Sequence, residues 1–204
     1  VLFRHAENAY LTAVTTAHNP AVANRDQEAA KLYTEAIKRF QLLLDKYPEY
    51  PYINLARWGL ANSYYQLGKF EEAVKALTQI PDVDRSNKLA TASLLQADCV
   101  IRTFPSSAED ALSAAKLAQQ VEQAVKLLDA FIGSAGPLPE VAEALLKLGY
   151  CHQQMASIMG EPAERNKSFA TARLAYERLI KDFSKTPHYP QAVFERARCM
   201  AEQN

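Results

Sequence analysis

One small-residue signature recurs four times along the chain: Ala56 with Ala61, Ala92 with Ala97, Ala144 with Gly149, and Ala192 with Ala197. Each copy sets two small side chains five residues apart, with Leu60, Gln96, Leu148 or Arg196 just before the second. In three copies a bulkier side chain follows three residues later, at Tyr64, His152 and Met200. The second members stand at 61, 97, 149 and 197, so the intervals are 36, 52 and 48 residues. Self-similarity on this scale marks a chain built by stacking supersecondary units, none of which can bury its apolar face alone. Small residues let neighbouring backbones approach, and the bulky residue one turn away fills the groove beside them. A divergent array of helical hairpins is predicted.

The composition agrees with that expectation and narrows the partners. Only 6 glycines occur in 204 residues, and good helix formers dominate. Lys plus Arg and Asp plus Glu both total 23, so no net field draws the chain to nucleic acid or an anionic membrane. No apolar run approaches the roughly 18 residues needed to span a bilayer, and direct membrane insertion is not expected. The first residue is Val1 rather than Met, which reads as a processed chain or a piece of a longer one. Cys99, Cys151 and Cys199 fit no ligand or redox spacing and sit within helical apolar patterns, as small buried hydrophobes do.

Apolar spacing and helix breakers divide the chain into helices over about 2–17, 25–46, 52–67, 70–80, 86–103, 107–132, 138–159, 162–183 and 190–202. The stripe Leu32, Tyr33, Ala36, Ile37, Phe40, Leu43, Leu44 and Tyr47 advances by threes and fours and stops before Pro48. Gly68 supplies a left-handed turn before Phe70, and Asp84 or Ser86 is placed to cap the helix over 86–103. Gly133–Pro139 reads as a loop between repeats. No segment alternates with period two. The chain is expected to be all-α, a single array over 1–204 with hairpins at about 2–47, 52–80, 86–132 and 138–183. Helix 190–202 has no return helix, leaving Phe194, Ala197 and Met200 to be covered by more chain or by a neighbouring subunit or domain at that end.

Residues 33–81 resemble a tetratricopeptide repeat (TPR). Leu60, Ala61, Tyr64, Gly68, Phe70, Ala73 and Leu77 follow the family's series, Leu77 standing where an aromatic is usual. The best-formed repeat spans 52–81, and Ala36, Phe40 and Pro48 fit the helix before it. Residues 140–183 resemble the family again through Leu148, Gly149, Ala172, Tyr176 and Leu179, with His152 in place of the usual Tyr. Residues 87–132 match loosely through Ala97, Ala124 and Leu128, without the glycine turn. The fragment Phe40–Tyr52 is similar to repeats of bacterial envelope proteins, namely the outer-membrane β-barrel assembly lipoprotein and the periplasmic Tol–Pal coordinator family. The resemblance implies a right-handed α-solenoid of TPR-like hairpins, some with elongated helices. It also implies a non-enzymatic scaffold or adaptor in the periplasm or cell envelope. A structural section of a longer repeat protein, or a fixed subunit of a large complex, is the alternative.

Repeats of this family bind a peptide or helix on a concave face lined by the first helix of each pair. Carried over by register, that face holds Trp58, Asn62 and Tyr65, with Leu55 beside them; then Leu94 and Asp98; then Leu146, Tyr150 and Gln153; and last Phe194 and Arg198. Asn62 matches one position of the family's carboxylate clamp, but Trp58, Thr91 and Leu94 replace its basic or amide groups, so that subtype is not expected. Trp58, the one tryptophan, reads either as a packing residue or as an anchor for a partner. Tyr64 is assigned to the core and Tyr65, about 100° round the helix, to the groove.

No chemistry of small molecules is expected, and no cofactor or metal is assigned. Asp82–Ser86 opens like a calcium loop, but Asn87 and Ser93 occupy the positions that need Gly and an acidic ligand. Cys151 and His152 are adjacent and diverge on a helix, and the four histidines are scattered. Glycine-rich phosphate loops are absent. The cations Arg173, Arg178, Lys181 and Lys185 alternate with Glu177 and Asp182, as on a solvated helix face.

Overall fold

Alanine spacing builds the first helix. Ala6, Ala9 and Ala13 lie buried along one side of α1, Leu2–His18, which ends where Asn19-Pro20 breaks the chain. The computed structural model describes residues 1–136 and 138–203. Pro137, within the expected loop 133–139, and Asn204 lie outside the described residues. The described chain forms two compact units, Val1–Ala92 and Ser93–Asn204. Most of their helices pack on the next helix in the chain, the all-helical solenoid construction of stacked pairs.

The first unit contains α1, α2 (Arg25–Lys46), α3 (Ile53–Gln66) and α4 (Phe70–Thr78). Asp26 and Glu28 favour the positive start of α2 and Lys46 its end. Ala29, Tyr33, Ala36, Ile37, Phe40 and Leu43 are its buried face, and Ala13, Ala29 and Tyr33 form one core cluster with α1. Gly68, at φ 69°, reverses the chain after α3. Its N–H donates to Tyr65 O at 3.0 Å, and Lys69 N–H reaches Tyr64 O at 2.9 Å. These paired bonds make a Schellman end, where a residue without Cβ is least strained. Past α4, Arg85 folds back to donate from Nη2 to Leu77 O at 3.0 Å and from Nε to Ile80 O at 3.2 Å.

The second unit contains α5 (Ala92–Arg102, its first residue shared with the boundary), α6 (Ala111–Ser134), α7 (Glu140–Ile158), α8 (Pro162–Asp182) and α9 (Tyr189–Glu202). Leu117, Val121, Ala124, Leu128 and Phe131 recur by fours and threes as the buried stripe of α6. Asp110 caps that helix, accepting from Ser113 N at 2.9 Å and Ser113 Oγ at 2.7 Å. Those bonds hold the Asp110 carboxyl below its ordinary pKa. Pro162 starts α8, where its missing N–H costs nothing.

Two helix starts lie four or more residues from the sequence expectation. The helix expected over 86–103 is a short 3-10 turn at Asn87–Leu89, followed by α5 from Ala92. Neither proposed cap works there: Asp84 accepts from Asn54 Nδ2 at 2.9 Å, and the Ser86 side chain caps nothing. Asn87 at φ 50° interrupts the helical path. The helix expected from 107 starts at Ala111, because Asp110 provides the side-chain cap.

The small-residue signature lies at the tightest places. Ala56, Ala61, Ala92, Ala97, Ala144, Gly149 and Ala192 are buried, while Ala197 is exposed on α9. A Cβ at Gly149 would run into the Tyr176 ring of α8. Gly59, outside the signature, stands in the same relation to Phe40 of α2.

Candidate functional site

In the first unit, the alanine stripe that seats α1 leaves Phe3, Tyr10 and Leu11 on the rest of its surface. With α3 and the preceding turn they line a cleft of about 680 Å³. Six rings contribute: Phe3 and Tyr10 from α1, Phe40 from α2, Tyr50 and Tyr52 from the turn, and Trp58 from α3. The rings touch in series. Phe3 meets Phe40 edge-on at 6.3 Å, Tyr50 lies 5.9 Å from Phe3, and Tyr52 is T-shaped on Tyr50 at 5.7 Å. The series ends in the open, for Tyr52 is 60% exposed. Arg4, Glu7 and Lys88 stand exposed at the margin. The cleft has the volume of a ligand site, with its rings on the walls and a substantial polar share from three phenols and the charged margin.

Trp58 is half-buried in the wall of the cleft. Its Nε1 is closed off from solvent and meets no acceptor. An unmet buried donor costs about 1–3 kcal/mol. Leu55 lines the same cleft, whereas Asn62 and Tyr65 do not. Asn62 Nδ2 donates to Trp58 O at 2.8 Å, along its own helix. Tyr65 packs T-shaped on Phe70 at 5.6 Å.

In the second unit, the positions carried over by register join first helices to one another. Asp98 of α5 is buried and accepts from Lys147 Nζ of α7 at 2.5 Å and from Arg102 Nε at 2.8 Å. Lys147 also pairs with Glu143 at 3.3 Å. Gln153 of α7, equally buried, donates to Glu195 Oε2 at 3.0 Å and to Cys199 Sγ at 3.2 Å on α9. Its Oε1 accepts from Tyr176 Oη at 3.1 Å and Arg198 Nη2 at 3.2 Å. Every hydrogen-bonding site on that buried amide meets a neighbour, as burial requires. Leu94 is buried and Leu146 half-buried. Tyr150 stacks on Phe104 at 6.3 Å and 15°, keeping one side open, and Phe194 is 65% exposed.

Titratable groups offer no activated nucleophile among the described residues. Burial pushes the Cys99 and Cys151 thiols up to about 12 and raises Cys199. Thiols so placed stay protonated and unreactive at neutral pH. Burial likewise raises Tyr150 and lowers His152. No group of three or more His, Cys, Asp or Glu is placed to hold a metal ion among the described residues.

Residues 28–97 match the family described as Tetratricopeptide repeat, and residues 143–186 match a second profile of the same description. Together the two matches span more than half of the chain. The chain belongs to the tetratricopeptide-repeat proteins. Such repeats are a non-catalytic fold for protein–protein interaction, and this TPR protein has the general role of a scaffold. Among the described residues, no helix is long and apolar enough to cross a membrane. No curated protein matches the chain. One solved structure similar to it is described as "Computational Design of Self-Assembling Cyclic Protein Homooligomers". That likeness is 14% identity over 99% of this chain and 81% of that one, at a TM-score of 0.29. The repeat matches and the helix pairs, not that likeness, support the assignment.

The α1 side of the cleft was missed by register transfer, which begins at the first well-formed repeat of the TPR protein. Phe3 and Tyr10 are seven residues apart, each three residues before an alanine of the buried stripe, and that aromatic row beside the alanines was the available signal. Tyr50 and Tyr52 read as connector residues because Pro48 and Pro51 flank them.

Proposed function

We propose that this TPR protein holds a segment of a partner protein in the α1/α3 cleft of its first unit, as an adaptor. The observation that carries this reading is the ring series from Phe40 to exposed Tyr52 between two first helices. In this reading Trp58 and Leu55 are anchors, and Asn62 and Tyr65 support the helix that presents them. In the second unit, Leu146, Tyr150, Phe194 and Arg198 offer the accessible part of the carried-over face. Leu94, Asp98 and Gln153 hold that face in place. A bacterial-envelope assembly as the setting is supported by the likeness of Phe40–Tyr52 alone.

Affinity capture with the full-length protein from its native source tests the adaptor reading. Wild type and Tyr52→Ala are compared in parallel. A partner that elutes with moderate salt and is lost from the variant supports the cleft. A partner retained equally by both removes it.

The alternative, a section fixed permanently within a larger assembly, is favoured by α9. Phe194 and Met200 are exposed there beside exposed Ala197. A single stoichiometric complex resistant to salt, released by Phe194→Ser and indifferent to Tyr52→Ala, would support it.

A further inference from the structure

The α2–α3 pair recurs as α8–α9 without insertion. α3 runs Ile53–Gln66 and α9 Tyr189–Glu202, each end 136 residues further on. The last residues of α2 and α8, Lys46 and Asp182, differ by the same 136. The buried rows agree at that step. Tyr33, Ala36, Phe40 and Leu43 of α2 correspond to Phe169, Ala172, Tyr176 and Leu179 of α8. The helix that covers α3 is therefore a template for what α9 can receive.

That helix is α4. Leu60 and Tyr64 share a cleft of about 340 Å³ with Glu72, Lys75, Ala76 and Gln79 of α4, and Tyr65 packs on Phe70. Ala61, in the same row, is fully buried. The corresponding row on α9 is Arg196, Ala197, Met200 and Ala201. Ala197 and Ala201 are exposed, and Met200 is 46% exposed. Among the described residues, the seat that α4 fills on α3 is open on α9.

The seat has also changed its chemistry. Arg196 replaces Leu60, Met200 replaces Tyr64 and Ala201 replaces Tyr65. Arginine suits ion pairs across interfaces and methionine adapts to varied surfaces, as in a contact that forms and parts. No carboxylate pairs with Arg196 among the described residues, and of its three nitrogens only Nε is closed off and unmet. The outer end of the guanidinium is the part a partner meets. Position 60 shares its cleft with Glu72 and Lys75, so a helix seated as α4 is brings those two positions towards Arg196. Charge complementarity favours acidic side chains at both.

We infer that the open face of α9 seats an amphipathic helix of a partner protein, packed as α4 is on α3, with carboxylates towards Arg196. The inference does not rest on the α1/α3 cleft.

The probe is a blocked, stapled and fluorescein-labelled peptide of Phe70–Ile80, titrated with the full-length protein and read by anisotropy. Its acidic form carries Lys75→Glu and its basic form Glu72→Lys. Saturable binding of the acidic form is expected, about tenfold tighter than that of the basic form. Arg196→Glu in the protein is expected to invert that order. Neither misfolding nor displacement of α4 from α3 can imitate the inversion.

Ala197→Leu, at an exposed position, is expected to weaken the acidic form about tenfold by filling the seat. Equal binding of the two forms, or an order unchanged by Arg196→Glu, overturns the proposal. So does an absence of binding, as when the protein's own chain fills the seat. If sedimentation shows a dimer that Ala197→Leu converts to monomer, a second copy is the occupant and the partner helix fails.

Discussion

Glycine at two points is required by what faces it. Tyr176 and Phe40 are among the largest fully or nearly fully buried side chains, and each ring occupies the space a Cβ would need at Gly149 and Gly59. Overpacking of this kind costs about 1–3 kcal/mol. Gly149→Ala and Gly59→Ala should each lower the urea midpoint accordingly. Gly133, in α6, meets nothing within 4 Å of such a Cβ. Gly133→Ala should therefore stabilise the chain by about 0.5–1 kcal/mol, through the unfolded state and helix propensity. Equal effects from all three would refute the close-approach account. His152 supplies a pH test, because burial lowers its pKa below the ordinary 6.5. Between its folded value and 6.5 the unfolded state binds more protons, so stability falls as pH drops through that window. Replacement by Gln should flatten the decline when denaturation is followed from about pH 7.5 to 5.5. An unchanged slope would mean that another group governs it.

Helix ends divide into those the local sequence specifies and those settled at a distance. The α3–α4 reversal was legible because Gly68 and its bonds lie within five residues. The Pro48 and Pro162 boundaries were legible for the same local reason. The end of α4 was not, since the carbonyls of Leu77 and of Ile80, just past the helix, are met by the Arg85 side chain. Nor was the interruption at Asn87, while Asp84 turns to Asn54 across thirty residues of chain. The cleft escaped for a related reason: which rings of α1, α2 and α3 meet depends on helix register, which no single stripe encodes. Arg85 is the sharper test, its side chain only 8% exposed and its pKa lowered by desolvation. Arg85→Ala should cost about 1–3 kcal/mol by taking away the partner of the Ile80 carbonyl, while Leu77 O keeps its bond from the Ile80 N–H. Arg85→Lys should recover little, because an ammonium lacks the planar fork that reaches both acceptors. Hydrogen exchange should quicken first at the end of α4. Full recovery by Lys would show that charge, not the fork, matters there.

For the molecule as a whole, sequential packing makes each unit a sum of neighbour contacts, and nothing in that construction selects a net charge. The chain nevertheless balances its charges at 23 against 23, with pI ≈ 7.1. Near neutral pH it therefore lacks the self-repulsion that keeps proteins apart. Exposed apolar side chains such as Phe194, Leu112 and Leu174 then have little to oppose their contact between copies. Light scattering at fixed concentration should peak near pH 7 and decline on both sides. Phe194→Ser should lower the peak without moving it, since it removes apolar surface and leaves charge unchanged. A maximum far from neutrality, or one that moves with Phe194→Ser, would mean that local charge patches rather than the zero balance control association.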